Sequence, residues 1–363
     1  MTDPVEFNFR PVAAADAPAL ARTAAEVFEA DWTEAFVQWK YFGNPAGPAY
    51  GECVAVAGKP VAFFSNLPAV FKLGSRPDVR GAQAVDAMVA APVRRHGLFL
   101  KLAQEAYRRM DQDGLALTYV FASAAAQAGF VNRLGYVLVG RVPRYVCVLD
   151  PAGLAAQSGR QGSAAAAYRL LLRALAPRQR SRAARGDGLT VGAVEAVDER
   201  FDTLWTAAAE QMAVAVVRDR AYLRWRYTQN PLRRYQILAA ERGQALAGCA
   251  VLSVDSATRT GRVLELFTRP DEAAAGPALL VALTDRARAA GCVQMQAWML
   301  PQHTAYVRML KEAGFRHWPA RAAPGFLRYS TALIVRVRPQ SRFEPDPTHL
   351  QNWYLTMGDH DYY

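Results

Sequence analysis

Cysteine is scarce in this chain of 363 residues. Its four cysteines, Cys53, Cys147, Cys249 and Cys292, stand far apart with no paired spacing, and none of the five histidines falls near them at ligand intervals. That argues against a disulfide framework and a structural zinc site, predicts no bound metal, and makes a reducing cytoplasm the expected location. The segment from Met1 to Asn8 has neither a basic stretch nor an apolar run after it, so no secretory signal is expected. Long apolar runs are also missing. The best candidate for a membrane span, Gly114 to Asn132, is uncharged, but its centre is small and polar-interrupted from Ala122 to Gly129. It reads as a buried strand entering a helix.

What is present is an ordinary globular balance, 52% hydrophobic and 21% charged, on a length that suits two domains better than one core. The net charge of +11 is uneven. Residues 1–150 hold 15 basic and 14 acidic side chains, and residues 191–363 hold 21 and 17. Residues 151–190 hold seven arginines and one aspartate, so more than half of the excess lies in one segment and neither flanking domain is a basic body. A nucleic-acid groove is therefore not expected. Within the segment, Leu170, Leu171, Leu172 and Leu175 alternate with Arg169 and Arg173, then Pro177 stops the helix and Arg178, Arg180, Arg182 and Arg185 follow. Two readings stay open: a connector whose leucines pack on one domain, or a peripheral contact of residues 168–185 with the inner face of an anionic membrane.

The chain repeats itself. Trp39-Lys40-Tyr41 before Asn44-Pro45 returns as Trp225-Arg226-Tyr227 before Asn230-Pro231, an offset of 186. Leu134-Gly135-Tyr136 returns as Ala313-Gly314-Phe315 at an offset of 179, at which Gly97 meets Gly276 and Asp86 meets Glu265. Ordered correspondences with a small loop-length difference point to a duplication. The expected plan is a first domain over 1–150, a basic linker over 151–190, a second domain over 191–340 and a tail over 341–363.

Each copy reads as mixed α/β. In the first, a strand is expected at Phe9–Val12, helices from about Ala17 to Tyr41, and a hairpin of Glu52–Ala57 with Pro60–Ser65. Further strands are expected at Ala82–Ala90, Leu115–Phe121 and Val137–Leu149, with helices over Leu98–Met110 and Gln127–Leu134.

Between Val89 and Phe99 a strand ends, Arg94-Arg95-His96-Gly97 follows, and a helix begins at once with Leu98-Phe99. Backbone N–H groups turned to one spot, a helix N-terminus and two arginines make a seat for a pyrophosphate. The segment contains neither Gly-x-x-x-x-Gly-Lys nor Gly-x-Gly-x-x-Gly. It resembles the coenzyme A loop of the GNAT acetyltransferase superfamily, Arg/Gln-x-x-Gly-x-Gly/Ala, with Arg94 and Gly97 at the first and fourth positions and Phe99 departing at the sixth. The closing Leu134-Gly135-Tyr136 and Ala313-Gly314-Phe315 are similar to that superfamily's Gly-Phe element. The Trp-basic-Tyr and Asn-Pro elements and the ending Gly358-Asp359-His360-Asp361 resemble tandem GNAT proteins of bacterial polysaccharide clusters.

The resemblance implies two tandem GNAT-like domains and acetyl-coenzyme A as co-substrate, bound by Val89, Arg94, Arg95, His96, Gly97, Leu98 and Phe99. It also implies direct attack on the thioester by an amine or hydroxyl of a small polar acceptor, an amino sugar among the choices. Asp86 is the base that the resemblance implies; its structural alternatives are an ion pair with a nearby arginine or a partly solvated position. The superfamily's general-acid tyrosine falls at Val131, so Tyr119 and Ser123 are the substitutes. His96 either contacts phosphate or faces solvent, and His303 either enters the cleft or lies on the surface. Trp39, Tyr41, Trp225 and Tyr227 read as scaffold before sugar platform. In the second copy, Asp271, Glu272 and Pro277 surround Gly276, so that half is expected not to bind coenzyme A. The competing functions are a non-catalytic coenzyme A-binding scaffold or regulator, and a Fem-like peptidyltransferase that uses aminoacyl-tRNA.

Overall fold

The computed structural model describes residues 7–28, 31–56, 59–176, 188–317, 331–339 and 341–362. The fold is mixed α/β, as expected. Its strands are β1 (Asn8–Pro11), β2 (Tyr50–Val56), β3 (Lys59–Leu73), β4 (Arg76–Val89), β5 (Leu117–Ala122), β6 (Val137–Val142), β7 (Arg144–Val148), β8 (Leu189–Ala193), β9 (Val214–Val216), β10 (Tyr235–Arg242), β11 (Ala245–Asp255), β12 (Thr260–Thr268), β13 (Gln294–Trp298), β14 (Arg316–His317) and β15 (Thr331–Val337). Its helices are α1 (Ala17–Phe28), α2 (Glu34–Phe42), α3 (Leu98–Gln112), α4 (Ala124–Arg133), α5 (Pro151–Ala156), α6 (Gly162–Leu175), α7 (Arg200–Ala209), α8 (Arg220–Leu223), α9 (Ala275–Ala289) and α10 (Thr304–Glu312). None of the described helices is long and apolar enough to cross a membrane. The uncharged Gly114–Asn132 stretch forms β5 and most of α4, as its pattern predicts.

Two compact units emerge, each assembled from three segments. The first is Met1–Gly140, Val216–Arg233 and Ala332–Asn352; the second is Arg141–Ala215, Arg234–Thr331 and Trp353–Tyr363.

In the first unit the strand order is β1-β2-β3-β4-β5-β15-β6. Strands β1 to β4 are antiparallel, β4 and β5 are parallel, and β15 runs antiparallel to β5. Helices α1 and α2 cover one face through Leu20, Val37 and Tyr41 against Cys53, Phe63 and Val85. Helix α3 covers the other through Leu98, Leu102 and Ala106 against Val54, Phe64 and Ala84. Alternate residues of one strand thus serve two cores, the period-2 rule at work.

The strands expected at Pro60–Ser65 and Ala82–Ala90 are longer in the structure, where β3 and β4 pair as a second hairpin that is not among the expected elements. β3 continues past Pro68 to Leu73. Pairing of β3 with β2 stops at Asn66, and the Pro68 carbonyl accepts from Asn44 Nδ2 at 2.8 Å. Gly74, at φ +61°, makes the turn into β4.

In the second unit the order is β14-β7-β13-β12-β11-β10-β8. The two sheets have matching plans: β7 lies between β13 and β14 where β15 lies between β5 and β6. Each sheet is therefore completed by a strand from the other half of the chain. Within 151–176, α5 and α6 pack on the second unit, with Leu154, Tyr168 and Leu172 against Val148 and Val293. Arg178, Arg180, Arg182 and Arg185 lie outside the described residues.

Candidate active site in the first unit

Parallel pairing of β4 with β5 is confined to Ala82–Thr118 and Gln83–Tyr119. Beyond that point β4 runs on to Val89 along β3, while β5 runs on to Ala122 along β15. Two parallel strands that diverge toward their carboxyl ends leave a wedge, the place where open α/β sheets receive ligands. It leaves the Ala84–Val89 edge of β4 without β5 as a partner.

The Arg94–Gly97 loop lies at the end of β4. Val93 and Leu98 are buried and pin it on either side, while Arg94, Arg95, His96 and Gly97 are exposed. Arg95 and Gly97 both take the left-handed region, at φ +71° and +69°. Gly97 is the N-cap of α3 and supplies no side-chain cap. Among the described residues, no backbone carbonyl accepts from the N–H groups of Arg95 to Leu100; the first helical bond is Lys101 N–H to Gly97 O. A 15-residue helix therefore presents open N–H groups and its positive dipole end to this loop. A Cβ built on Gly97 would meet nothing within 4 Å, so the spot is open space. These features fit a pyrophosphate.

The motif residues divide by role. Arg94 donates its Nε to the Val89 carbonyl at 3.1 Å, which ties the loop to its strand. His96 packs edge-on to Phe7. Leu98 and Phe99 are packing residues: Phe99 sits 5.6 Å from Phe64 and 5.5 Å from Phe130, ring to ring.

Asp86 occupies the irregularity in the β3–β4 ladder, at φ +46°, a strained setting for a residue with a side chain. Its Oδ2 receives Lys40 Nζ at 2.6 Å and the Tyr41 hydroxyl at 2.7 Å. Lys40 is itself buried, with Nζ 5.0 Å from the Trp32 ring centroid and under 6 Å from those of Phe36 and Tyr41. The Trp-Lys-Tyr element thus supplies an ion pair for Asp86, from a lysine rather than from the arginine expected as its structural alternative. The sequence signal was visible as a repeat, but nothing in it linked residue 40 to residue 86.

Tyr119 lies opposite Gln83 at the apex of the wedge, buried, with its ring edge-on to Phe71 and Phe121. Ser123 is exposed at the end of β5 and caps α4 by accepting from Ala126 N–H at 3.3 Å. Burial raises all four thiols, Cys53 up to about 11 and Cys147 up to about 12, so none is poised as a thiolate nucleophile.

The second unit treats the corresponding places differently. Asp271 pairs with Arg269, and Glu272 with Arg242. Gly276 lies inside α9 rather than ahead of it, and a Cβ there would strike Met309 Sδ at 2.4 Å. The match of Gly97 with Gly276 therefore holds in sequence but not in conformation, because Gly276 is needed for helix packing.

The far end of β12 is covered by the C-terminal tail. The Tyr354 hydroxyl donates to the Leu266 carbonyl, Thr356 Oγ1 donates to Glu265 Oε2 at 2.9 Å, and Trp353, Tyr354, Leu355 and Met357 are fully buried. His303 was expected in the first unit's cleft or on the surface. It is half-buried in the second unit instead, with Nε2 2.9 Å from the Trp353 carbonyl, and burial lowers its pKa.

No protein-family model matches the sequence. No curated protein matches it either. Solved structures do. A conserved protein of unknown function from Enterococcus faecalis, a probable N-acyltransferase, aligns over 92% of this chain and 73% of its own, with a TM-score of 0.62 and 10% identity. A GCN5-related N-acetyltransferase from Anabaena variabilis aligns over 92% and 73%, with a TM-score of 0.61 and 12% identity. Saccharomyces cerevisiae N-myristoyltransferase with bound myristoyl-CoA aligns over 93% and 81%, with a TM-score of 0.60 and 11% identity. At such identities the likeness establishes the fold, that of the GCN5-related N-acetyltransferases.

Proposed function

We propose that the protein is a GNAT-type N-acyltransferase that moves an acetyl group from acetyl-coenzyme A to an amine of a small polar acceptor by direct transfer. An amino sugar of polysaccharide biosynthesis is the acceptor class to screen first. The observation that carries this reading is the open, left-handed loop of Arg95 and Gly97 ahead of α3, beside a β4 edge that β5 does not cover. Loop N–H groups and Arg95 would hold the pyrophosphate, and the edge of β4 would pair with the amides of the pantetheine arm as an added strand does. When bound, the thioester supplies an activated acyl carbon; the chain's own task is to place the acceptor beside it and move protons.

Asp86 is the residue proposed to take the acceptor's proton, held in place by Lys40 and Tyr41. Tyr119, at the wedge apex, is proposed as proton donor to the departing thiol, with Ser123 at the wedge mouth as its alternative. The second unit is proposed as a degenerate copy, the end of its β12 covered by residues 353–359, so that the chain binds one coenzyme A. The domain plan of 1–150, 151–190, 191–340 and 341–363 stands as the proposed order of the duplication in sequence, and the cytoplasm as the proposed location.

Calorimetry with acetyl-coenzyme A tests this. One saturable site per chain, lost in Gly97→Asp, is the expected result; absence of binding to the wild-type protein would sink the acyltransferase reading. A second reading, a coenzyme A-binding scaffold without turnover, is favoured by one observation: the Lys40 ammonium stabilises the Asp86 carboxylate and so weakens it as a base. Binding that is kept in Asp86→Asn while turnover on an amine acceptor is lost supports the enzyme. Binding without turnover across an amine and hydroxyl acceptor screen supports the scaffold.

A further inference from the structure

Helix α6 has two apolar faces, and the second unit covers one of them. Tyr168 and Leu172 point inward, against Val148, Leu154, Ala155 and Val293. On the opposite side Leu170 is 70% exposed and Leu171 42% exposed, an adjacent pair of large apolar side chains in open solvent. At helical spacing, Ala166, Ala167 and Ala174 share that outer side and are exposed as well. Arg169 and Arg173, both exposed and one turn apart, form its flank. A solvated connector would carry polar residues here.

The charge along this stretch of sequence has one sign. No Asp or Glu occurs from Pro151 to Gly186, a stretch in which all seven charged residues are arginines. Basic charge alone would suit any polyanion. The exposed leucines add a preference, because an apolar ridge gains nothing against a phosphate backbone and gains burial at an acyl boundary. An apolar ridge with arginines beside it matches a surface whose headgroups are anionic and whose interior is hydrocarbon.

We propose that the outer face of α6 docks on an anionic lipid bilayer, with Leu170 and Leu171 entering the headgroup–acyl boundary and Arg169 and Arg173 meeting the headgroups. The connector and membrane readings of the sequence thereby become two faces of one helix. The proposal does not depend on acyl transfer, and its variants leave the Arg94–Gly97 loop and Asp86 untouched.

The experiment is flotation of the full-length protein with vesicles of phosphatidylcholine alone and with phosphatidylglycerol added, at low and high salt. Wild-type protein should float with the anionic vesicles at low salt and much less with the neutral ones. Leu170→Glu with Leu171→Glu should abolish flotation. Arg169→Gln with Arg173→Gln should lower the partition coefficient about 30-fold, from the usual contribution of each basic residue near a charged surface. All four side chains are exposed, and unchanged circular dichroism together with unchanged acetyl-coenzyme A titration will confirm intact variants. Three results would overturn the proposal: no flotation of wild type on anionic vesicles, flotation indifferent to the leucine changes, or a sedimentation-detected dimer that the leucine changes dissolve. Duplex DNA binding that the arginine changes weaken and the leucine changes do not, without vesicle binding, would reassign the face to a polyanion.

Discussion

Trp39 and Trp225 stack with ring centroids 5.2 Å apart and planes 22° from parallel, and each donates its indole N–H to the other's backbone carbonyl, at 2.8 and 3.0 Å. They are equivalent members of the sequence repeat, and both belong to the first unit. The local structure around them repeats as well. Thr33 caps α2 by accepting from Phe36 N–H, and Asp219 caps α8 by accepting from Tyr222 N–H. Asn44 accepts from Ala46 N–H and Asn230 from Leu232 N–H. The aromatic residues that sequence left between scaffold and sugar platform include, in this pair, a closed and self-satisfied contact.

That reciprocity predicts strong coupling. Trp39→Ala and Trp225→Ala should each destabilise the protein by about 3–5 kcal/mol, the usual loss for a buried large aromatic. The double variant should lose clearly less than the sum, because the second truncation removes a contact already gone. Urea denaturation of the four proteins measures it; strict additivity would contradict the pair.

Lys40 and Asp86 form a buried ion pair, with side chains 4% and 10% exposed. Removing one partner of such a pair typically costs about 3–5 kcal/mol, since the other charge is left buried. Lys40→Met should therefore destabilise more than Lys40→Met with Asp86→Asn together. Turnover should fall in every variant lacking the Asp86 carboxylate. If Lys40→Met alone leaves the denaturation midpoint unchanged, the pair contributes nothing.

Exchange of β7 and β15 between the sheets makes the halves interdependent. A fragment ending at Ala176 retains β7 but lacks β15, and one starting at Gly188 lacks β7. Each expressed alone leaves the position beside an edge strand empty, and with it an unpaired edge on β5 or on β13, a recipe for aggregation. Co-expression should yield a soluble pair that co-purifies. A folded, monomeric first fragment, judged by sedimentation and amide exchange, would show that the exchange is dispensable.

The half-buried His303 links stability to acidity. Burial disfavours its charged form, so its pKa in the folded state lies below the unfolded value near 6.5. The stabilisation of the neutral ring is complete above that value and is lost as pH falls from about 6.5 toward the folded pKa, because the unfolded state then binds the extra proton. Thermal scans from pH 7.5 to 5 should show a decline that His303→Asn, which keeps an amide donor for the Trp353 carbonyl, makes shallower. Parallel profiles for both proteins would remove His303 from the account.

Much of this architecture was legible in the residues because its signals are short-range. Asn44-Pro45 and Asn230-Pro231 mark turns within a few residues of where they act, and the apolar spacing of Leu98 to Met110 marks a helix. Gly97, just ahead of Leu98-Phe99, marks the junction between strand and helix, whose open N–H groups follow from helix geometry alone. The sequence repeat could be read from order and offset without any knowledge of contacts.

Tertiary structure decided the rest. A strand's sequence records its faces but not its neighbour, because every backbone offers the same hydrogen bonds, so the destinations of β7 and β15 could not be read. Nor could the pairing of Lys40 with Asp86, since a charge finds its partner by distance in space. The placement of Trp353 to Asp359 over β12 is of the same kind, a tail whose buried aromatic residues were visible in sequence but whose seat exists only after the sheet has formed.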